Sequence, residues 1–210
     1  MEKIKAIIFD MDGVLIDAKE WHYEALNKAL QLFGYTISRY DHLVTYDGLP
    51  TKKKLEMLTM ESGLPKGLHN FINEMKQIFT MEMVYTKCKP VFYHEYALAK
   101  LKAEGYNMVV ASNSVRQTVE LMMEKSNLYN YLQFMLSNED VSASKPDPEI
   151  YLKAIKQLGL SPQECLIVED NQNGIKAAIA SGAHVMIVKS VADVHYDNII
   201  ANIQRVQGEV

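Results

Sequence analysis

Short apolar runs alternate with longer amphipathic stretches along most of the chain. The clearest runs occupy 4–9, 108–111, 165–168 and 184–188, with a weaker one at 134–136. Each run is too short for an ordinary helix and is bounded by turn or capping residues, which is typical of buried strands. Strands that alternate with helices predict a parallel sheet covered on both faces. We therefore expect a doubly wound, Rossmann-like α/β core.

The stretches between the runs carry clear signals for the ends of helices. Asp147 and Pro148 predict an N-cap followed by a proline at the first helical position, and Gly159 predicts the end of the same helix. Ser161 and Glu164 have the spacing of a capping box. These signals support an alternation of helix and strand through the second half of the chain.

Segment 18–87 breaks this alternation. It is long, rich in helix formers and Met, and contains no convincing buried strand. Helices are predicted at 20–33, 51–62 and 68–85. We expect a core domain formed by 1–17 and 88–210, and a helical cap domain formed by 18–87. Because the cap leaves directly after the first strand, it is expected above the carboxyl ends of the strands, where open α/β sheets bind ligands.

Composition narrows the class of partner. The chain has 210 residues and a net charge of −4 at pH 7, so there is no electrostatic reason to expect nucleic acid or a membrane surface as a partner. No apolar run approaches the ~18 residues of a membrane helix, and the first strand begins too early to follow a signal peptide. We expect a cytoplasmic protein, a monomer or a weak dimer, that acts on a small molecule.

The two cysteines are not candidates for chemistry. Cys88 and Cys165 lack the spacing of zinc ligands and of a redox motif. Isolated cysteines in a cytoplasmic chain are expected to be reduced structural thiols. Neither is a candidate nucleophile.

Polar residues lie in the loops that follow four of the predicted strands. They are Asp10 and Asp12 in the first loop, Ser112, Asn113 and Ser114 in the second, Lys145 in the third, and Glu169 and Asp170 in the fourth. Because the carboxyl ends of parallel strands meet at one edge of a sheet, these side chains are expected to lie close together. Carboxylates, a fixed cation and N–H donors at a helix start suit Mg²⁺-assisted phosphoryl transfer.

Each of these features has a plainer interpretation when it is taken singly. Ser112 could be only an N-cap, Lys145 a solvated surface charge, and Glu169 with Asp170 a polar turn before the next helix. The carboxylates after the first strand could simply mark its end in a polar turn. The order of the four loops and their placement at strand ends favour a single site.

In four ordered motifs the chain resembles the haloacid dehalogenase-like hydrolases, specifically the subgroup with a small helical cap that includes sugar-phosphate phosphatases and β-phosphoglucomutase. The motifs occupy 9–14, 111–113, 144–148 and 168–171, the last with 173–178 behind it. The resemblance spans nearly the whole chain, although the cap is only loosely similar to its relatives.

The resemblance implies roles for the first pair of carboxylates. Asp10 would be the nucleophile that forms an aspartyl-phosphate. Asp12 would be the general acid to the leaving alkoxide and then the general base for water. Relatives that cleave carbon–halogen or carbon–phosphorus bonds lack this second aspartate, so phosphate-ester chemistry is favoured.

It also implies a metal site and a site for the transferring group. Mg²⁺ would be held by Asp10, the backbone carbonyl of Asp12, and Asp170, with Glu169 as a ligand or acting through water. The residues that would bind the transferring group are Ser112 and Lys145, with Asn113 beside them.

Four cap residues are candidates for substrate binding, namely His22, Thr51, Lys52 and Lys76. His22 falls where many capped relatives place a histidine near the general acid, but it could equally be a surface histidine. β-Phosphoglucomutase-like proteins carry an arginine at the position aligned with Thr51, and its absence argues against a mutase. The lysines at 52–54 could compensate, or they could form a solvated helix face.

These residues favour a Mg²⁺-dependent phosphatase that acts on a small phosphorylated metabolite, such as a sugar or polyol phosphate, through an aspartyl-phosphate. The alternative is a β-phosphoglucomutase-like hexose-phosphate mutase, by analogy of fold. An alternative of another class is a phosphometabolite-binding module without catalysis. Loss of Asp10, Asp12, Lys145 or Asp170 would indicate that module, and all four residues are present.

Overall fold

The computed structural model describes residues 3–46 and 48–208. The described residues divide into two compact units. The core unit comprises the described residues of Met1–Asp17 and Cys88–Val210, and the helical unit comprises those of Ala18–Lys87. Each unit has a hydrophobic core of its own.

Helices form the whole regular structure of the helical unit as far as it is described. They are α1 (Lys19–Gln31), α2 (Arg39–Asp41), α3 (Thr51–Ser62) and α4 (His69–Lys87), with a π-helical turn at His42–Tyr46 and a 3₁₀ turn at Lys66–Leu68. The core includes Leu26 and Leu30 of α1, Leu58 of α3 and Ile72 of α4. Leu26 and Leu30 are four residues apart and therefore lie on one face of α1. In the described residues, no helix combines the length and apolar composition of a bilayer-spanning segment.

Five parallel strands form the sheet of the core unit. They are β1 (Ala6–Phe9), β2 (Asn107–Ala111), β3 (Phe134–Leu136), β4 (Cys165–Glu169) and β5 (His184–Ile187), in the spatial order β3-β2-β1-β4-β5. Ile8 of β1 pairs with Val109 on one side and with Ile167 on the other. Every residue of β1 and β4 is buried, which explains why these strands are apolar at successive positions rather than at alternate ones.

Helices cover both faces of this sheet. The core unit contains α5 (Phe92–Ala103), α6 (Arg116–Lys125), α7 (Glu149–Leu158), α8 (Gln172–Ala180) and α9 (Tyr196–Gln207). On one face, Ala154 of α7 and Ala178 of α8 pack in one cluster with Ile8. The neighbouring residue Ile7 is also buried and points to the opposite face, where α5 and α9 contact each other and the sheet. The predicted doubly wound α/β fold is confirmed.

Two of the predicted helix signals act in a different way from that expected. Helix α7 begins at Glu149 rather than at Pro148, which takes the N-cap position. Asp147 still satisfies the helix start, because its Oδ1 accepts a hydrogen bond from the backbone N–H of Glu149 at 2.9 Å. Ser161 forms the predicted capping box, but the box encloses a single 3₁₀ turn, Pro162–Glu164, that leads into β4.

Both cysteines are buried and free. Burial raises the pKa of the Cys88 thiol to about 11 and that of Cys165 to about 12. A thiol with so high a pKa remains protonated at neutral pH and is a poor nucleophile.

Candidate active site

The strand order places two carboxylate-bearing loops side by side. The chain proceeds from β1 to β2 and β3 on one side of β1, then crosses to β4 on the other side. Such a change of direction opens a crevice at the carboxyl ends of the strands. Asp10 directly follows β1, and its backbone N–H donates to the carbonyl of Val168 in β4 at 3.0 Å. Asp10 therefore lies beside Glu169 and Asp170 at this edge.

Three carboxylates form one acidic cluster at the edge. Asp10, Glu169 and Asp170 each offer a carboxylate oxygen, and these oxygens lie within 4.8 Å of one another. Asp10 is only 8% exposed and Glu169 only 1% exposed. Buried carboxylates this close repel one another unless a cation or a proton offsets their charge. The side chain of Asp12, which lies three residues beyond the end of β1, is not part of this cluster.

Lys145 supplies one such cation. Its ammonium donates to Asp10 Oδ1 at 2.5 Å, to Glu169 Oε1 at 2.7 Å and to the carbonyl of Ala111 at 2.9 Å. The residue is 4% exposed, so it is not a solvated surface charge. Burial alone would lower the pKa of Lys145, but the charges of Asp10 and Glu169 outweigh that effect and raise the pKa above its usual value. The ammonium is therefore charged at neutral pH.

Asp10 experiences opposing influences. Burial raises its pKa, Lys145 lowers it, and the charges of Glu169, Asp12 and Asp170 raise it again, so the pKa lies well above the ordinary value. A second cation near this carboxylate would act in the same direction as Lys145 and favour the ionised form. The ionised form is the one that can act as a nucleophile.

Glu169 is held by four hydrogen-bond donors. Its Oε1 accepts from the Lys145 ammonium and from the hydroxyl of Tyr151 at 2.6 Å. Its Oε2 accepts from the backbone N–H groups of Asp170 at 3.0 Å and Asn171 at 3.3 Å. Gly174 leaves room for this carboxylate, since a Cβ there would lie 1.8 Å from Glu169 Oε1.

Tyr151 is the site residue that the sequence interpretation missed. It lies on the buried face of α7, where its ring is indistinguishable from a core-filling residue in the sequence pattern. A usable signal was nevertheless present, because a tyrosine on a buried helix face needs a hydrogen-bond partner for its hydroxyl.

The loop after β2 holds Asp12 in place. The Ser114 hydroxyl donates to Asp12 Oδ2 at 2.8 Å, and the Ser114 backbone N–H donates to Ser112 Oγ at 3.1 Å. The Ser112 N–H donates to the carbonyl of Leu136 in β3 at 3.0 Å, which fixes the loop to the sheet. Gly13 takes a φ of 90°, which only glycine adopts readily, as the chain turns after Asp12. Asp12 and Ser112 are therefore brought to the same edge.

Asn113 binds the backbone of Lys145. Its Oδ1 accepts from the Lys145 N–H at 3.1 Å, and its Nδ2 donates to the Lys145 carbonyl at 3.5 Å. The amide therefore joins the second and third loops. This contact gives Asn113 a structural role, and substrate binding by this residue stays a prediction.

The substrate-binding candidates of the helical unit separate into two groups. His22 Nδ1 lies 3.3 Å from the Lys76 ammonium, and Lys76 is 8% exposed on α4. Thr51 begins α3 and is partly exposed, whereas the side chain of Lys52 is exposed. Lys54 is the buried lysine of this run, at 8% exposure. It lies four residues before the buried Leu58, so helical spacing could have identified it.

The comparison with protein families decides the class of this arrangement. Residues 7–188 match the family model described as haloacid dehalogenase-like hydrolase. The chain belongs to the haloacid dehalogenase-like hydrolases. The resemblance inferred from the four motifs is confirmed, since the matched range includes all of them.

Curated relatives of this haloacid dehalogenase-like hydrolase include named phosphatases. The chain is 28% identical over 184 residues to the phosphorylated carbohydrates phosphatase of Thermotoga maritima, an alignment that covers 85% of this chain and 82% of that protein. It is 28% identical over 179 residues to the phosphoglycolate phosphatase of Aquifex aeolicus, with the same two coverages of 85% and 82%. The family and these relatives identify the chain as a phosphoric monoester hydrolase.

The fold of this hydrolase also matches a solved structure. The β-phosphoglucomutase of Clostridium difficile superposes with a TM-score of 0.84, covering 98% of this chain and 99% of that one. The two sequences are 20% identical, so the likeness shows a common fold alone.

Proposed function

We propose that this hydrolase is a Mg²⁺-dependent phosphatase that acts on a small phosphorylated metabolite, a sugar or polyol phosphate, through an aspartyl-phosphate on Asp10. One observation carries the proposal: the buried Lys145 ammonium donates to both Asp10 and Glu169, beside the third carboxylate of Asp170. A nucleophilic carboxylate next to a fixed cation and a cation-binding acidic cluster is what attack on a phosphoryl group requires.

The donor set fits Mg²⁺. The three clustered carboxylates are hard oxygen ligands, which Mg²⁺ prefers, and it commonly keeps several waters. Asp10 and Asp170 would hold the ion together with the backbone carbonyl of Asp12. Glu169 already accepts from four donors, so we expect it to contribute through water. When bound, Mg²⁺ neutralises the negative charge of the phosphoryl oxygens.

The chain's own residues account for both chemical steps. An Asp10 oxygen bonds to phosphorus while the bond from phosphorus to the ester oxygen breaks, and Asp12 gives its proton to the leaving alkoxide. Asp12 then takes a proton from a water molecule whose oxygen attacks phosphorus, which releases inorganic phosphate and restores Asp10. Ser112 binds a phosphoryl oxygen during both steps, and the Lys145 ammonium, which donates to Asp10, Glu169 and Ala111, stabilises the phosphoryl charge from beside it.

Two observations support a sugar or polyol phosphate as the substrate. The relative from Thermotoga maritima is named for phosphorylated carbohydrates. In the helical unit, His22, Thr51, Lys52 and Lys76 offer hydrogen-bond donors and positive charge, which suit hydroxyl and anionic groups. Thr51 stands where mutase-like proteins carry an arginine, so we expect release of phosphate rather than its transfer along the sugar.

A substrate panel tests the proposal. Phosphorylated sugars, polyols, nucleotides and pyrophosphate are incubated with Mg²⁺, and released phosphate and sugar-phosphate isomers are measured together. We expect phosphate from a sugar or polyol phosphate, and a loss of about 1,000-fold or more in Asp10→Asn. Asp197→Asn makes the same change at an exposed position of α9 and should retain the wild-type rate.

The same reaction reveals the intermediate. When it is quenched with ³²P-labelled substrate, label should remain on the protein and be released by hydroxylamine, which cleaves acyl phosphates. Phosphate release without protein-bound label would contradict the aspartyl-phosphate. Isomerisation without phosphate release would replace the phosphatase by the mutase, and inactivity towards every sugar and polyol phosphate would exclude the proposed substrate class.

A further inference from the structure

The hydroxyl of Tyr151 lies among the charged groups of the candidate active site, although Tyr151 belongs to none of the four motifs. The residue is completely buried, at 0% exposure. Its hydroxyl donates to Glu169 Oε1 at 2.6 Å, and its ring centroid lies 4.6 Å from the Lys145 ammonium. One side chain therefore contacts both members of the Lys145–Glu169 ion pair.

The polypeptide geometry links this tyrosine to Lys145. Tyr151 lies in the first turn of α7, where its N–H donates to the carbonyl of Pro148 at 3.0 Å. Lys145 lies in the loop that leads into the same helix. The start of α7 therefore sets the position of the cation and of the aromatic face that covers it, an arrangement in which the ring attracts the ammonium.

A purely space-filling role does not explain the hydroxyl. Phenylalanine would fill the same volume without placing a polar group in a buried site. Glu169 Oε1 accepts from two donors, Lys145 and Tyr151, while Oε2 is held by backbone N–H groups. Of the four described donors to Glu169, the Tyr151 hydroxyl is the only one that is a neutral side-chain group. It fixes the orientation of the carboxylate without adding charge.

We propose that Tyr151 is a positioning residue: its hydroxyl fixes Glu169 so that the Lys145 ammonium is shared between Glu169 and Asp10 at the edge where Mg²⁺ binds. This inference rests on the proposed function, because it assigns Tyr151 a role toward the ion and the nucleophile of that reaction. Without the hydroxyl, Glu169 Oε1 keeps the Lys145 ammonium as its one described donor, so the carboxylate is held less firmly beside Lys145 and the metal-binding edge.

The test compares Tyr151→Phe with the wild type. The affinity for Mg²⁺ is measured by calorimetry with MgCl₂ alone, and kcat and KM are measured separately. We expect Tyr151→Phe to lower the Mg²⁺ affinity and kcat by about 10-fold each, the usual effect of removing a hydrogen bond behind a metal site, and to change KM less than about twofold. Tyr196→Phe removes a similar tyrosine-to-glutamate hydrogen bond on the exposed surface of the core unit and should change neither quantity.

A second background tests whether Tyr151 acts through Glu169. In Glu169→Gln the charge is absent, so adding Tyr151→Phe should change the Mg²⁺ affinity by less than about twofold. Because the glutamine amide has one acceptor oxygen where the carboxylate has two, circular dichroism establishes that each variant is folded before its Mg²⁺ affinity is compared.

The outcomes separate the possible roles. Wild-type Mg²⁺ affinity and kcat in Tyr151→Phe, with only a lower melting temperature, would reduce the residue to a packing role. Fully additive effects of the two substitutions would show that Tyr151 does not act through Glu169. If the wild-type protein released no phosphate from any compound but Tyr151→Phe still weakened Mg²⁺ binding, the proposed function would fail and the positioning role would stand.

Discussion

Asp10 is buried in a setting that opposes its negative charge. Burial raises its pKa, Lys145 lowers it, and the neighbouring carboxylates raise it further, so that its pKa in the folded protein exceeds the ordinary value. A carboxyl group with a raised pKa binds its proton more tightly in the folded state than in the unfolded state. Stability attributable to Asp10 is therefore present at low pH and is lost as pH rises from about 4 through the raised pKa.

Asp10→Asn should consequently raise the melting temperature of the metal-free protein by several degrees at pH 7 to 8. The gain should shrink as pH falls towards 4, because the wild-type carboxyl group is then protonated and resembles the amide. Thermal unfolding in a chelating buffer across this pH range measures the effect, with Asp197→Asn as the control for an exposed aspartate. A less stable Asp10→Asn at pH 8, or a gain that grows as pH falls, would contradict the argument.

At the scale of elements, the start of α8 is pressed against the end of β4. Asn171 caps α8, since its Oδ1 accepts from the N–H of Asn173 at 2.9 Å. The same close approach brings two backbone N–H groups to Glu169 and leaves no room for a side chain at Gly174. Glycine at this position therefore serves the carboxylate rather than the helix.

Gly174→Ala should have two opposing effects of different size on stability. Alanine favours the helix by about 1 kcal/mol, but its Cβ would lie 1.8 Å from Glu169 Oε1, so the carboxylate must leave its four donors. We expect a lower melting temperature and a kcat reduced by about 10-fold. Gly67→Ala is the control, because a Cβ at Gly67 meets nothing within 4 Å. Unchanged kcat with increased stability would show that Glu169 adjusts freely.

The strands and their polar ends could be predicted because both signals are local. The apolar run at 108–111 becomes β2 (Asn107–Ala111), and the predicted helix at 51–62 matches α3 (Thr51–Ser62). The helix predicted at 20–33 ends earlier, at Gln31, because helix ends depend on a few weak contacts. Local periodicity therefore identified the elements better than their ends.

Contacts between elements that are distant in the sequence could not be predicted from such local signals. Tyr151 and Glu169 lie 18 residues apart and meet only when α7 packs on the sheet over β1 and β2. Glycine is required at position 174 for a similar reason. The Glu169 carboxylate occupies the space that a side chain would need, and no turn in the chain signals this contact. The run of lysines at 52–54 gave no clear choice, and the structure buries Lys54 and exposes Lys52. The three lysines predicted a basic start of the helix, but the packing of the helix decides which lysine is buried.

At the scale of the whole molecule, negative charge is unequally distributed. The segment 18–87 contains nine Lys and Arg against eight Asp and Glu, whereas the remainder contains 13 against 18. A phosphate ester is itself an anion, so the field of the core residues opposes its binding outside the immediate surroundings of Lys145. Basic side chains in the helical unit are therefore expected to contribute to substrate affinity.

Among these lysines, the sheltered ones should contribute most. Lys54 and Lys76 are each 8% exposed, so solvent and salt screen their charges less than that of the exposed Lys52. We expect Lys54→Ala to raise KM about 10-fold with kcat changed less than about threefold, and Lys66→Ala, at an exposed lysine of the same unit, to leave both unchanged. Steady-state kinetics at two salt concentrations measures this, since the difference should persist at 0.5 M NaCl. Equal effects of the two substitutions, or effects that vanish in salt, would assign substrate affinity to the surface field rather than to Lys54.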